Sequence, residues 1–222
     1  MLKITFLGTG TSHGVPVIAC ACPVCTSPDP RNRRTRCSIL LQTGGANILV
    51  DTAPELRLQA LREGITRLDA VLFTHSHADH VFGLDDVRRF NDVQGGALPI
   101  YADGQTLRDL RRIFRYAFVP TQAGGGKPRL ELRRLVRPSF DLFGLEVRPL
   151  RVMHGALPIT AYRFGGAAYV TDVSAIPDET AEQLQGLDLL ILDALRRRPH
   201  PTHFGLAQAV EAVQRLRPRR AL

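Results

Sequence analysis

Thr74-His75-Ser76-His77-Ala78-Asp79-His80 puts three of the chain's seven histidines and one carboxylate within six residues. It follows Leu68-Asp69-Ala70-Val71-Leu72-Phe73, a short apolar run that reads as a buried strand. The polar donors therefore start just past a strand end, where open α/β sheets keep their chemistry. Imidazole and carboxylate together suit Zn²⁺ and other first-row divalent ions. The competing reading is a solvated polar loop with chance histidines. So dense a run of donors beside an aspartate argues against it.

Upstream, Leu2 to Leu7 reads as a strand running into the glycine turn Gly8-Thr9-Gly10-Thr11-Ser12-His13-Gly14-Val15-Pro16. Cys37 to Gln42 and Asn47 to Val50 read as a hairpin. Thr52 and Glu55 have the spacing of a capping box, predicting a helix that runs to Glu63 and stops at Gly64. Downstream, a helix is expected over 81–90 and a short strand at 99–101. An amphipathic helix should bury Leu107, Leu110, Ile113, Phe114 and Ala117 and turn its arginines outward. The glycine-rich segment 121–128 is expected to form a flap-like loop. Strands are then expected at 130–136, 145–152, 160–164, 167–171 and 187–192, with a helix over 178–185. A last helix should bury Leu206, Ala209, Val210, Val213 and Leu216. Strands cluster in both halves with helices after them. That pattern predicts an α/β fold of two facing sheets with helices outside, as a single domain over 1–222.

Cys20, Cys22 and Cys25 form a C-x-C-x-x-C cluster inside a proline-rich excursion at about 17–36. Without a secretory leader, which the short run Met1 to Leu7 does not provide, that spacing favours a metal over disulfides. Three thiolates give a structural zinc three of its four ligands, and Cys37 is the less favoured fourth because it reads as part of a strand. No apolar stretch is long enough to span a membrane, so the cytoplasm is the default expectation. The net charge of +8, from 29 Lys+Arg against 21 Asp+Glu, fits a phosphate-bearing or other anionic ligand. The arginine runs read equally as solvated faces.

With the cluster 75–80 placed after a strand, the chain resembles the metallo-β-lactamase superfamily, a four-layer αββα sandwich with one or two metal ions at its edge. Leu7-Gly8-Thr9-Gly10-Thr11-Ser12 is similar to that family's first strand and turn, and Leu49-Val50-Asp51-Thr52 to its second motif. A finer resemblance is to the phosphonate-pathway cyclic phosphodiesterases. It rests on Gly14-Val15-Pro16, the cysteine cluster, and Arg33-Arg34 before Cys37-Ser38. The resemblance implies that His75, His77 and His154 hold one ion, Asp79 and His80 a second, and that Asp172 bridges them. It also implies a structural zinc on Cys20, Cys22 and Cys25. The family's last histidine ligand, which follows a final strand, has no counterpart here, and the expectation is a chain lacking its C-terminal end.

The activity implied is that of a phosphodiesterase using two divalent ions, Zn²⁺ or Mn²⁺, and a metal-bridging hydroxide. Its substrate would be a small cyclic or nucleotide-like phosphodiester. Asp79 would also orient the nucleophile. His203 would act as general acid or phosphate contact, and His13 as a further substrate contact. The alternatives are a tRNA-processing-type nuclease, a thioesterase or lactonase, and a non-catalytic cofactor-biosynthesis member. A nuclease would want a long basic arm, so nucleic acid is admitted but not favoured; a homodimer is compatible with all of these.

Overall fold

The computed structural model describes residues 1–122 and 125–222, so the expected flap over 121–128 lies partly outside the described residues. The chain forms two compact units, Met1–Leu135 and Val136–Leu222.

The first unit is built on a six-stranded sheet of β1 (Lys3–Gly8), β2 (Ser38–Thr43), β3 (Ala46–Val50), β4 (Ala70–Leu72), β5 (Leu98–Ala102) and β6 (Leu130–Arg134), ordered as numbered. β1, β2 and β3 are antiparallel neighbours; from β3 to β6 the pairing is parallel. Parallel neighbours need crossovers. Helices supply them: α1 (Leu56–Arg62) between β3 and β4, α2 (Ala78–Val81) and α3 (Arg88–Gln94) between β4 and β5, and α4 (Gly104–Ile113) and α5 (Arg115–Phe118) between β5 and β6. The core joins Leu49, Val71, Phe73 and Ile100 from the sheet to Leu56, Val81, Leu107, Leu110 and Phe114 from the helical side. Ile39, Leu41, Ile48, Val50 and Leu72 are fully buried as well, as expected of strands with near-continuous apolar sequence. Asp103 starts α4 by accepting the amides of Gln105 and Thr106.

The second unit has a five-stranded sheet ordered β11-β10-β9-β8-β7. Its strands are β7 (Phe140–Leu142), β8 (Leu145–His154), β9 (Leu157–Phe164), β10 (Ala167–Val170) and β11 (Leu189–Leu192). All pairs are antiparallel except β10 with β11. α6 (Asp178–Gln183) and α7 (Leu206–Leu216) pack on it, with Val152, Ile159, Val170, Leu184, Leu190 and Leu216 in the core. Among the described residues, no helix is long and apolar enough to cross a membrane.

Several local expectations fail for physical reasons. The capping box at Thr52 does not form. α1 starts later, at Leu56, because the Thr52 amide and hydroxyl are taken by the carbonyls of His80 and Val81. Glu55 pairs instead with Arg36. The helix expected over 81–90 divides into α2, a 3₁₀ turn at Leu84–Val87 and α3. Gly83 sits at the break, where a Cβ would meet the Ala53 carbonyl at 2.1 Å. The chain therefore presses against the segment after β3 and cannot hold one straight helix there. α7 buries Ala209 and Leu216, whereas Leu206 and Val210 face solvent.

Candidate metal centre

In the first unit the donors stand on two neighbouring strand ends. β3 ends at Asp51, fully buried and at φ +62°, a left-handed conformation that aspartate tolerates better than most side chains. Its Oδ1 accepts the Thr74 amide at 2.8 Å. Its Oδ2 accepts the Thr74 hydroxyl at 2.8 Å and lies 2.7 Å from His80 Nδ1. Burial pushes the Asp51 carboxyl up from its ordinary range, against the pull of His80 and Thr74. Thr74 spends its proton on Asp51, so its oxygen accepts from His75 Nδ1 at 3.0 Å. One buried carboxylate thus fixes two imidazoles, His80 directly and His75 through Thr74. Both keep the proton on Nδ1 and the lone pair on Nε2.

The Nε2 atoms approach other donors. His75 Nε2 lies 3.0 Å from His77 Nδ1, and His80 Nε2 lies 3.5 Å from Asp79 Oδ2. The His75 and His80 rings are 4.2 Å apart, centroid to centroid. Ser76, between two candidate ligands, donates its hydroxyl to Asp109 on α4 at 2.8 Å and moors the loop to that helix.

The second unit repeats the arrangement with residues far apart in sequence. His154 ends β8, and its Nδ1 donates to the Thr202 carbonyl at 2.7 Å, leaving Nε2 as the lone-pair nitrogen. Gly155 (φ +60°) lets the hairpin turn approach Thr202; a Cβ there would meet Thr202 Cγ2 at 2.9 Å. Asp172 follows β10 at φ +55° and is held by the Thr171 hydroxyl. Asp193 follows β11 and takes His203 Nδ1 at 2.7 Å. Burial raises the Asp193 carboxyl, with His203 pulling it back. Donor atoms of His154, Asp172 and His203 all lie within 4.8 Å of one another. His203, expected only near substrate, is therefore a member of this unit's donor cluster.

Cys20, Cys22 and Cys25 also bring their sulfurs within 4.8 Å of one another. The backbone amide of Cys25, with help from the neighbouring thiols, lowers Cys22 to about 7. Cys37 stands apart from the trio, its thiol directed at the Gly10 carbonyl at 3.2 Å. His13 is exposed on the turn after β1.

These donor sets fit divalent metal. Ligating histidines characteristically give their other ring nitrogen to a carboxylate or a backbone carbonyl. His80, His154 and His203 do so directly and His75 does so through a threonine. The supporting residues Asp51, Thr74, Asp193 and Thr202 went unnoticed as site residues in the sequence. A usable signal existed for the aspartates: each closes an apolar strand, as in Ile48-Leu49-Val50-Asp51 and Leu190-Ile191-Leu192-Asp193.

The family described as "Beta-lactamase superfamily domain" matches residues 46–222. A solved structure described as a new diphosphatase from the PhnP family superposes with a TM-score of 0.92 at 46% identity, covering all of this chain and 85% of that one. An octanoyltransferase of Porphyromonas gingivalis is 42% identical over 96% of this chain, which spans only 43% of that protein's length. A ribonuclease Z of Mycobacterium bovis is 28% identical over 89% of this chain and 71% of its own. The two sheets with their helices, and a match extending over most of the sequence, make this chain a member of the metallo-β-lactamase superfamily, αββα in fold, and within it of the PhnP-like branch.

Proposed function

We propose that this protein is a metal-dependent hydrolase of phosphoric diesters, acting on a small cyclic or nucleotide-like substrate. The observation that carries this reading is the shared polarity of four histidines. His75, His80, His154 and His203 each turn Nδ1 to a protein acceptor, so that Nε2 is the ring nitrogen on the opposite side. So many preset imidazoles beside Asp79 and Asp172 suit a pair of divalent ions, Zn²⁺ or Mn²⁺. In this reading His75, His77, Asp79 and His80 would be the metal ligands of the first unit, and His154 and Asp172 those of the second. Such ions supply Lewis acidity and a water acidified to about neutral pH.

The chain's own residues do the rest. Asp51 and Thr74 keep two imidazoles in one tautomer and one orientation. Asp79 orients the attacking oxygen. His203, its Nδ1 proton held toward Asp193, would act as general acid in its imidazolium form, passing the Nε2 proton to the leaving oxygen. Cys20, Cys22 and Cys25 would hold a structural zinc that shapes the segment before β2. The likeness to a PhnP-family diphosphatase supports a phosphate ester as substrate. The ribonuclease Z relative supports a second reading, a nuclease.

A hydrolysis screen with Zn²⁺- and Mn²⁺-loaded protein tests this. The panel is bis(p-nitrophenyl) phosphate, cyclic nucleotides, cyclic sugar phosphates, a structured RNA, thioesters and lactones. Turnover of the small phosphodiesters is expected. Turnover confined to thioesters or lactones overturns the reading, and turnover confined to RNA replaces it with the second.

A further inference from the structure

Immediately beyond the ligand run, the first unit carries an aromatic surface that the hydrolytic reading does not use. Phe82 follows α2 in helical conformation, three residues after Asp79. Residues so spaced lie on one helix face, with Cβ atoms about 5–6 Å apart. Phe82 is 54% exposed although it is among the most apolar side chains in the protein. It is not an isolated surface residue. Its ring meets that of Phe114 at 6.5 Å and 90°, and Phe114 is almost wholly buried. Phe114 in turn meets Tyr116 at 6.5 Å.

Ile113 and Tyr116, on either side of Phe114 in sequence, are 40% and 38% exposed. Tyr116 is anchored by donating its hydroxyl to Asp85. The surface is also tied to the ligand loop from the other direction. Ser76 binds Asp109, and Ile113 lies one turn beyond Asp109 on the same face of α4. Phe82 thus stands directly after the loop of His75 to His80, backed by the buried Phe114 ring, which Tyr116, itself bound to Asp85, also meets.

Scattered single apolar residues on a surface need no explanation. An exposed ring braced by a buried one beside a polar site does. Phe114, set edge-on, holds the Phe82 ring in place, so little freedom is lost when a flat ligand covers it.

We propose that Phe82, backed by Phe114 and flanked by Ile113 and Tyr116, is a stacking shelf for the base of a nucleotide whose phosphate lies at the His75–His80 loop. The proposal rests on the phosphodiesterase reading and narrows its substrate to one bearing a flat aromatic ring. Stacking of a base on an aromatic side chain tolerates all four bases, so the shelf selects nucleotides as a class and not one base.

The test is calorimetric titration of the metal-loaded protein with AMP and with ribose 5-phosphate, which lacks the base and carries an anomeric hydroxyl in its place. The wild type is expected to bind AMP about tenfold tighter, the low end of what one stacked base contributes. Phe82→Ala should erase that preference and leave ribose 5-phosphate binding unchanged, while Phe82→Trp should keep it. Metal content and thermal midpoint of each variant check that the fold is intact. Equal affinity of the wild type for the two ligands, or a preference that survives Phe82→Ala, overturns the shelf. Loss of ribose 5-phosphate binding in Phe82→Ala and Phe82→Trp alike does so too, since it would mean disruption of the loop. Binding separates this inference from the reading beneath it. A base preference abolished in Phe82→Ala without phosphodiester turnover would leave the shelf standing and the activity refuted. Turnover without base preference would do the reverse.

Discussion

The two donor clusters solve one problem in opposite ways. In the first unit, four donors come from one six-residue run, and a single buried aspartate, Asp51, fixes two of the histidines from beneath. In the second, His154 and Asp172 come from two separate strand ends and His203 from the loop before α7, and each histidine has its own acceptor, Thr202 or Asp193. Both clusters use an aspartate at a strand end in left-handed conformation, Asp51 at φ +62° and Asp172 at φ +55°. Their surroundings differ. Asp51 is sealed at 0% exposure with both oxygens engaged, whereas Asp172 keeps 8% and groups with His154 and His203. Position in the fold makes the two look alike. Depth and hydrogen bonding make Asp51 a support, while the proposed reading makes Asp172 a ligand.

The strongest break in this comparison should come from Asp79→Ala. The residue stands at the edge of the first cluster, only partly buried and outside the core. Turnover of the best phosphodiester should fall by about 10³-fold or more, in line with removal of groups that bind and orient at the reacting centre. The circular dichroism spectrum should stay unchanged. Near-normal turnover in a fully metallated variant would end the two-ion reading.

Next in size is Asp193→Asn, which asks whether the second cluster's support acts on chemistry. An asparagine can turn its amide toward His203 and favour the other tautomer. Turnover should drop by about 10²-fold, the lower range for a misplaced general acid. Metal content should hold. A substrate with an activated p-nitrophenolate leaving group needs less protonation and should lose far less, whereas an equal loss on all substrates would make Asp193 merely structural.

Asp51 and Asp172 then separate support from ligand. Asp172→Asn should cost one full metal equivalent by elemental analysis. Asp51→Asn should keep the stoichiometry while weakening affinity by about 10–100-fold, the usual cost of losing a group that orients a ligand. The same stoichiometric loss in both variants would erase the distinction drawn from their burial.

The same contrast explains what the sequence makes legible. The run 75–80 is readable because its donors are neighbours, and short apolar runs with glycine punctuation mark β1 to β5 clearly. His154 and Asp172 are readable only through resemblance, since one histidine or aspartate after a strand has many ordinary uses. Asp51, Thr74, Asp193 and Thr202 stay hidden because their roles exist only through tertiary contacts across 10 to 48 residues. The failed cap at Thr52 is the same effect in reverse. Its local pattern is right, but the carbonyls of His80 and Val81 compete for the hydroxyl and amide and win. In α7, periodicity finds the helix but misjudges its face, since Leu206 and Val210 stay in solvent.

The smallest expected effect on turnover belongs to the cysteines, which sharpen the comparison by standing outside both clusters. Cys20, Cys22 and Cys25 lie in a segment where the described structure has only a short 3₁₀ turn at Pro30–Asn32 before β2. Its backbone is tied to the rest by a few bonds, such as Val15 to Arg34 in both directions. The sulfurs are close enough to share an ion, and the low value of Cys22, about 7, eases the loss of its proton to one. A closed thiolate site contributes folding energy and opens no position for water. Cys22→Ser should therefore lose one zinc and lower the thermal midpoint by roughly 4–8 °C, the shift for about 2 kcal/mol in a chain of this size. The ions at the histidine clusters should remain, and kcat on a small phosphodiester should change less than about threefold, because no cysteine belongs to either cluster. A Cys22→Ser protein with unchanged zinc content and midpoint would make the trio three ordinary thiols. One that kept its zinc yet lost turnover would move the cysteines from scaffold to chemistry.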